Sequence, residues 1–93
     1  MAAMDLLGRR WALRVLWELR DGPRGARALL AACEGISSSV LYDRLRELGD
    51  AGLIQKSDAG SYELTRTGTS LGKALAPLDL WSTKWAAQRP AHR

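Results

Sequence analysis

The chain has 93 residues, of which 46% are hydrophobic and 26% are charged, and lysines and arginines exceed acidic residues to give a net charge of +4. This length and composition are typical of one globular domain with a single small core, and they argue against a disordered chain. The positive charge favours a polyanionic partner, although a mildly basic balance is also common in soluble proteins.

Several protein classes are disfavoured by what the chain lacks. No apolar run approaches the length of a membrane span, and the N-terminus does not have the pattern of a secretory signal, so we expect a cytoplasmic protein. A single cysteine, Cys33, and a single histidine, His92, make a zinc site implausible. Because no nucleophile lies beside a base and no phosphate loop follows a strand, we expect no enzymatic activity, no cofactor and no metal.

The first two predicted elements are helices. Apolar residues recur at spacings of three and four over residues 6–19, which is typical of an amphipathic helix, and the Asp-Gly-Pro at 21–23 ends it. A shorter helix is predicted from residue 23 or 24 to residue 32 or 33, with a narrow apolar face. That face consists of Ala28, Leu29 and Ala32.

The third predicted helix covers about residues 37–51. Ser37 is a good N-cap residue, with Ser38 as a close competitor, because a serine hydroxyl can accept a hydrogen bond from an unpaired amide of the first turn. Leucines at positions 41, 45 and 48 fall within roughly 60° of one another around the helix and should face the core. The opposite face presents Ser39, Tyr42, Asp43 and Arg46, with Ser38 at its edge.

A hairpin and a long helix complete the chain. Residues 53–64 read as two short strands around a turn at 57–60. Thr65 can cap the last helix, in which Pro77 should introduce a kink or a division into two. The apolar seam of this helix contains Leu71, Leu75, Leu78 or Leu80, Trp81 and Trp85.

The order of three helices, a hairpin and a helix predicts a mainly α fold, the winged helix-turn-helix, in one domain over residues 1–88 with a flexible tail at 89–93. In that fold the third helix enters the major groove of double-stranded DNA and the hairpin, called the wing, lies along the backbone. Lys56, Ser57 and Ser61 are then candidate phosphate contacts.

The polar face of the third helix has a second interpretation, because a serine-rich helix start is often only a solvated surface. Asp43 is the main objection to a DNA surface, since phosphates repel a carboxylate. It could accept a hydrogen bond from a cytosine amino group, pair with Arg46 or Arg44, or indicate that the face is not wholly a DNA surface.

Several motifs resemble those of the HxlR-type winged-helix regulators, which are relatives of the MarR group. They are "LLGRRW" at the start of the first helix, "GIS" before the third, "LRELGDAGLI" at its end, "YELTRTG" after the wing and a late tryptophan, Trp81. The resemblance covers roughly residues 6–85 and implies a homodimeric transcription factor. Its recognition-helix surface would be Ser37, Ser38, Ser39, Tyr42, Asp43 and Arg46.

The chain departs from this family at two places. Members often have a redox-sensing cysteine just before the first helix, where this chain has "MAAMD", and Cys33 is instead expected to be a buried, inert thiol between the second and third helices. The wing is short and has only Lys56 near its tip, which predicts shallow contact with DNA.

The tryptophans predict how the chain assembles. Trp11 matches a core position of the family, whereas Trp17, Trp81 and Trp85 are better placed at a dimer seam, because large aromatic side chains are rarely left exposed on a small monomer. An aromatic pocket for an unidentified small-molecule effector is the alternative. The predicted dimer interface is Leu6, Leu7, Trp17, Leu78, Trp81 and Trp85.

Two functions therefore compete. The first is a sequence-specific, homodimeric DNA-binding regulator of transcription. The second is a winged-helix module that binds proteins and has lost DNA binding, which the carboxylate of Asp43 and the small wing favour.

Overall fold

The computed structural model describes residues 8–88 and confirms the predicted fold, mainly α with one small hairpin. None of its helices combines the length and the apolar character that a membrane crossing needs. The elements are, in order, α1 (Ala12–Glu18), α2 (Ala26–Ala32), α3 (Ser38–Asp50), β1 (Ile54–Lys56), β2 (Tyr62–Leu64) and α4 (Arg66–Gln88).

Helix α1 is shorter than the sequence predicted. Residues 8–11 form a turn, so the predicted start at residue 6 is wrong for this part of the chain, and residues 6 and 7 lie outside the described range. Trp11 has a φ of 79°, in the left-handed region, and this conformation is incompatible with a continuous helix. The change of direction packs the Trp11 ring against the core, as the sequence predicted for this residue.

Helix α2 begins at Ala26, two residues later than the later of the two predicted starts. The backbone of Arg24 instead pairs with Tyr62 of the wing, through hydrogen bonds of 2.9 and 2.8 Å, and a residue in such a bridge is extended. Ala28, predicted to be on the apolar face, is exposed, whereas Leu29 is fully buried.

The hydrophobic core lies where α1, α2 and α3 meet the first strand. All three leucines predicted to face inward from α3 are buried, each of which stabilises the fold by about 1.5–3 kcal/mol relative to an exposed side chain. The buried cluster is Val15, Leu16, Leu19, Leu29, Cys33, Leu41, Leu45, Leu48, Leu53 and Ile54.

The wing is an antiparallel hairpin in which Ile54 is opposite Leu64 and Lys56 is opposite Tyr62. Its turn occupies residues 57–60, as predicted, and Gly60 has the positive φ of 86° that the turn requires. At the base, Thr65 donates its amide to the carbonyl of Leu53 (3.0 Å).

Helix α4 starts at the predicted cap, because the Thr65 hydroxyl accepts a hydrogen bond from the amide of Gly68 at 3.0 Å. Gly68 is buried against the carbonyl of Leu53, and a Cβ atom there would collide with that oxygen. The helix continues to residue 88 through Pro77, so the proline does not divide it. Only the first turns of α4 are covered by the rest of the domain.

Candidate nucleic-acid interface

The start of α3 is fixed by Ser37. Its hydroxyl oxygen accepts a hydrogen bond from the amide of Val40 (3.2 Å) and lies 3.3 Å from the hydroxyl of Ser39. Ser37 is therefore the N-cap, as predicted, and its side chain is largely committed to the helix. The cap sets which residues of the first turn point away from the core.

One side of α3 is polar and accessible. Ser38, Ser39 and Arg46 are exposed, and 49% of Tyr42 is exposed, while the opposite side consists of buried leucines. The structure thus brings most of the predicted recognition residues together on one surface. We call this surface the reading face, and it consists of Ser38, Ser39, Tyr42, Asp43 and Arg46.

Asp43 is neutralised on the reading face by Arg46, whose Nη2 lies 3.1 Å from Oδ1 of the carboxylate. Of the two predicted partners, Arg44 pairs instead with Glu47, at 3.2 Å. The side chains of Arg46 and Asp43 remain 63% and 46% exposed, so the pair contributes well under about 1 kcal/mol and can be exchanged for contacts with a ligand.

Arginines beside α3 were missed by the sequence reasoning. The carbonyl of Arg10 accepts a hydrogen bond from Arg44 (3.4 Å), and Nε of Arg9 lies 3.6 Å from Oε1 of Glu47. These contacts place the turn at residues 8–11 along one flank of α3. The only signal in the sequence was the position of Arg44 and Glu47 between the core and the polar face.

The predicted phosphate contacts of the wing lie close together near its tip. Lys56 is exposed, with its Nζ atom 5.6 Å from the centre of the Tyr62 ring. The Ser57 hydroxyl oxygen accepts a hydrogen bond from the Ser61 amide at 3.2 Å. This serine therefore holds the turn, and Lys56 is the side chain of the three that most readily reaches a phosphate.

A second exposed surface is formed by residues of α1 and of the C-terminal part of α4. Trp81 is 59% and Trp85 is 47% exposed, and their rings stack 5.8 Å apart and nearly parallel. Trp17 of α1 is also partly exposed, with the guanidinium of Arg20 3.8 Å from the centre of its ring. We call Trp17, Leu78, Trp81 and Trp85 the apolar surface; the two other predicted interface residues, Leu6 and Leu7, lie outside the described range.

A groove with a volume of about 560 Å³ separates α1 from α4. It shares Trp17 and Leu78 with the apolar surface and has a mostly apolar lining, to which basic side chains also contribute. The residues that carry this character are Leu13, Leu16, Trp17, Leu75, Leu78, Arg20 and Lys73.

Cys33 is fully buried in the core, as predicted. Burial raises the pKa of its thiol, and the positive charge of Arg14 offsets this only in part. A protonated thiol is a poor nucleophile and a poor metal ligand. Within residues 8–88 no group of three or more histidine, cysteine or acidic side chains is placed to hold a metal ion.

Comparisons with known proteins bear on the family and the fold. The model of the family described as HxlR-like helix-turn-helix matches residues 6–90. The uncharacterized HTH-type transcriptional regulator YvaP of Bacillus subtilis is 29% identical over 89 residues, which cover 89% of this chain and 82% of YvaP.

Solved structures of similar proteins share the fold. Quinone-bound YodB from B. subtilis superposes with a TM-score of 0.81 at 29% identity, over 89% of this chain and 92% of that one. The possible HxlR family transcriptional factor from Thermoplasma volcanium GSS1 has a TM-score of 0.83 at 26% identity, over 91% and 82% of the two chains.

Proposed function

Because the chain belongs to the HxlR-like helix-turn-helix family and is a DNA-binding transcriptional regulator, we propose that α3 is its recognition helix and that it acts as a homodimer. The observation that carries the first part is the reading face, a polar strip opposite three buried leucines. A helix about 10–12 Å wide fits a major groove about 12 Å wide, and its N-terminal residues reach the base edges.

Each side chain of the reading face has a chemical role in this proposal. The guanidinium of Arg46 suits the two acceptors of guanine, and the hydroxyls of Ser38, Ser39 and Tyr42 suit phosphates or base edges. When Arg46 turns to DNA, the carboxylate of Asp43 is left to accept a hydrogen bond from a cytosine amino group. In the wing, Lys56 contacts a phosphate, with Ser57 and Ser61 as weaker partners because of their place in the turn.

The homodimer is supported by the apolar surface. Contiguous exposed aromatic side chains on a small domain mark an interaction site, and a symmetric dimer covers the same surface on both copies. A two-fold axis there would direct two recognition helices to half-sites roughly 34–36 Å apart. Such a regulator acts in the cytoplasm and needs no enzymatic activity and no cofactor.

Selection of bound duplexes from a random DNA pool tests the proposal. We expect an enriched motif with two-fold symmetry, which would give the half-site spacing directly. A pool with no enriched motif at low salt, together with a stable complex with another protein, would favour the protein-interaction module instead.

The groove between α1 and α4 is the site that we propose for a small-molecule effector. Its apolar lining and its size are typical of ligand sites. Since one structure of YodB is quinone-bound, a quinone is the first probe, tested for a rise in melting temperature in a Cys33→Ala variant that lacks the only thiol. An unchanged melting temperature at saturating quinone would argue against this class of ligand.

A further inference from the structure

We propose that Arg9 and Arg10, in the turn before α1, contact the DNA phosphate backbone along one flank of α3. This inference rests on the proposed entry of α3 into the major groove. It adds a third DNA-binding element to the recognition helix and the wing.

The backbone conformation of Trp11 places the turn at residues 8–11. The left-handed conformation of Trp11 is unfavourable for a residue with a side chain, so its surroundings must hold it in place. The amide of Ala12 donates to the carbonyl of Arg9 at 3.2 Å and closes the turn. The Trp11 ring lies against Gly35, at the turn between α2 and α3, about 3.9 Å from where a Cβ atom would be. The Trp11 ring is therefore held beside the turn that precedes α3.

The turn at residues 8–11 contacts α3 directly. Arg44 donates a hydrogen bond to the carbonyl of Arg10, and Glu47 pairs with Arg9 on the same flank. With about 100° per residue, both α3 residues lie between the buried leucines and the reading face. The turn at residues 8–11 is thus beside the reading face, on the side of Asp43.

This flank of α3 has more basic than acidic side chains. The guanidinium groups of Arg9 and Arg44 share the single carboxylate of Glu47, whereas Arg10 meets this flank through its carbonyl, which accepts a hydrogen bond from Arg44. The side chain of Arg9 is 57% exposed and its pair with Glu47 is long, so it can turn to another anion at little cost. The guanidinium of Arg10 lies 5.7 Å from the centre of the Trp11 ring, which supports it without neutralising it.

The shape of the DNA duplex determines what lies beside this flank. A helix that fills the major groove has a phosphate strand along each flank, because the groove is only about as wide as the helix with its side chains. The wing follows the C-terminus of α3, and the turn at residues 8–11 supplies cations to the flank beside Arg44 and Glu47. Arginine forks on this flank match phosphate oxygens and carry no base preference.

The test measures how DNA affinity depends on salt for Arg9→Gln, Arg10→Gln and the double variant. The probes are the duplex recovered by selection and a scrambled duplex of equal length. Each lost phosphate contact should make the slope of log affinity against log salt less steep by about 0.9, equally for both duplexes. Lys84→Gln, which removes one exposed cation near the end of α4, is the control of equal charge change and should leave the slope unchanged.

The outcomes separate this inference from the proposed function. If the wild-type protein selects no motif, the proposed function fails before any variant is compared. If it selects one but the double variant keeps the wild-type slope, or loses no more than Lys84→Gln does, the inference is overturned. Arg10→Lys keeps the charge and should keep the slope, which guards against a loss caused by a disturbed fold.

Discussion

Arg46 and Asp43 form an ion pair on the reading face, with Nη2 of the arginine 3.1 Å from Oδ1 of the aspartate. The group best suited to a guanine edge is therefore already bound by an acidic neighbour one turn away. In the proposed complex, Arg46 exchanges this contact for one with DNA, and the Asp43 carboxylate is repelled by the phosphates of any duplex that offers it no hydrogen-bond donor. The pair thus favours discrimination between sequences over affinity for DNA in general.

Replacing Asp43 with asparagine should raise affinity for random-sequence DNA. The change removes a charge that phosphates repel and releases Arg46, and because the pair is exposed the gain should stay below about fivefold, or roughly 1 kcal/mol. Fluorescence anisotropy with a labelled random duplex at low salt measures it. Weaker binding to every duplex would show that Asp43 supports the reading face.

Arg46→Ala should weaken binding to the selected operator by about 1–3 kcal/mol and relax preference at one base pair of each half-site. The reason is that a bidentate arginine contact distinguishes guanine from other bases. Competition between operators altered at single positions measures both effects. Unchanged affinity and unchanged preference would remove Arg46 from its assigned role.

The regular parts of α3 were predictable from the sequence because they depend on local rules. Leucine spacing fixed the buried side, and the hydroxyl of Ser37 identified the cap. The exceptions depend on residues distant in sequence. No local pattern indicates that Arg24 pairs with Tyr62 or that Trp11 is left-handed, because both arise from packing against the wing and the turn at Gly35. For the same reason the flank formed by Arg9 and Arg10 was not visible.

Gly68→Ala should destabilise the domain by about 1–3 kcal/mol, because the added methyl group would meet the carbonyl of Leu53 and force α4 away from the wing. Gly72→Ala is the matched control. It lies one turn later in the same helix with no atom near the new methyl group, so it should stabilise by about 0.5–1 kcal/mol. Urea unfolding of both variants provides the comparison, and equal stabilities would contradict the packing described for Gly68.

Trp81→Ala should raise the dissociation constant of the homodimer by tenfold or more, since a large aromatic at the centre of an interface contributes about 2 kcal/mol or more. Sedimentation equilibrium measures the change. Leu80→Ala is the control, because Leu80 is equally exposed but lies about 100° around α4 from Trp81. A monomeric wild-type protein at high concentration, or an equal effect of both changes, would contradict the proposed interface.

Stability should decline at alkaline pH because of Cys33. Its pKa in the folded state is raised above the ordinary value of 9.0, so the unfolded thiol ionises first and favours unfolding as the pH rises past that value. Below it both states are protonated and the full contribution remains. The loss should be smaller in Cys33→Ala, measured as the free energy of unfolding against pH. Identical pH profiles, or rapid alkylation of the native thiol at neutral pH, would contradict the burial of this group.

The hydrogen bonds at the base of the wing have a consequence for how such a domain tolerates insertions. The amide of Thr65 donates a hydrogen bond to the carbonyl of Leu53 at 3.0 Å, and its hydroxyl donates to the carbonyl of Gly52 at 2.6 Å. These two hydrogen bonds hold the residues before β1 next to the start of α4, independently of the length of the hairpin between them. Doubling the number of residues between Leu53 and Thr65 would cost only about 0.6 kcal/mol in loop-closure entropy. Residues 57–60 are thus a place where a longer, more basic turn can be inserted while α3 keeps its position.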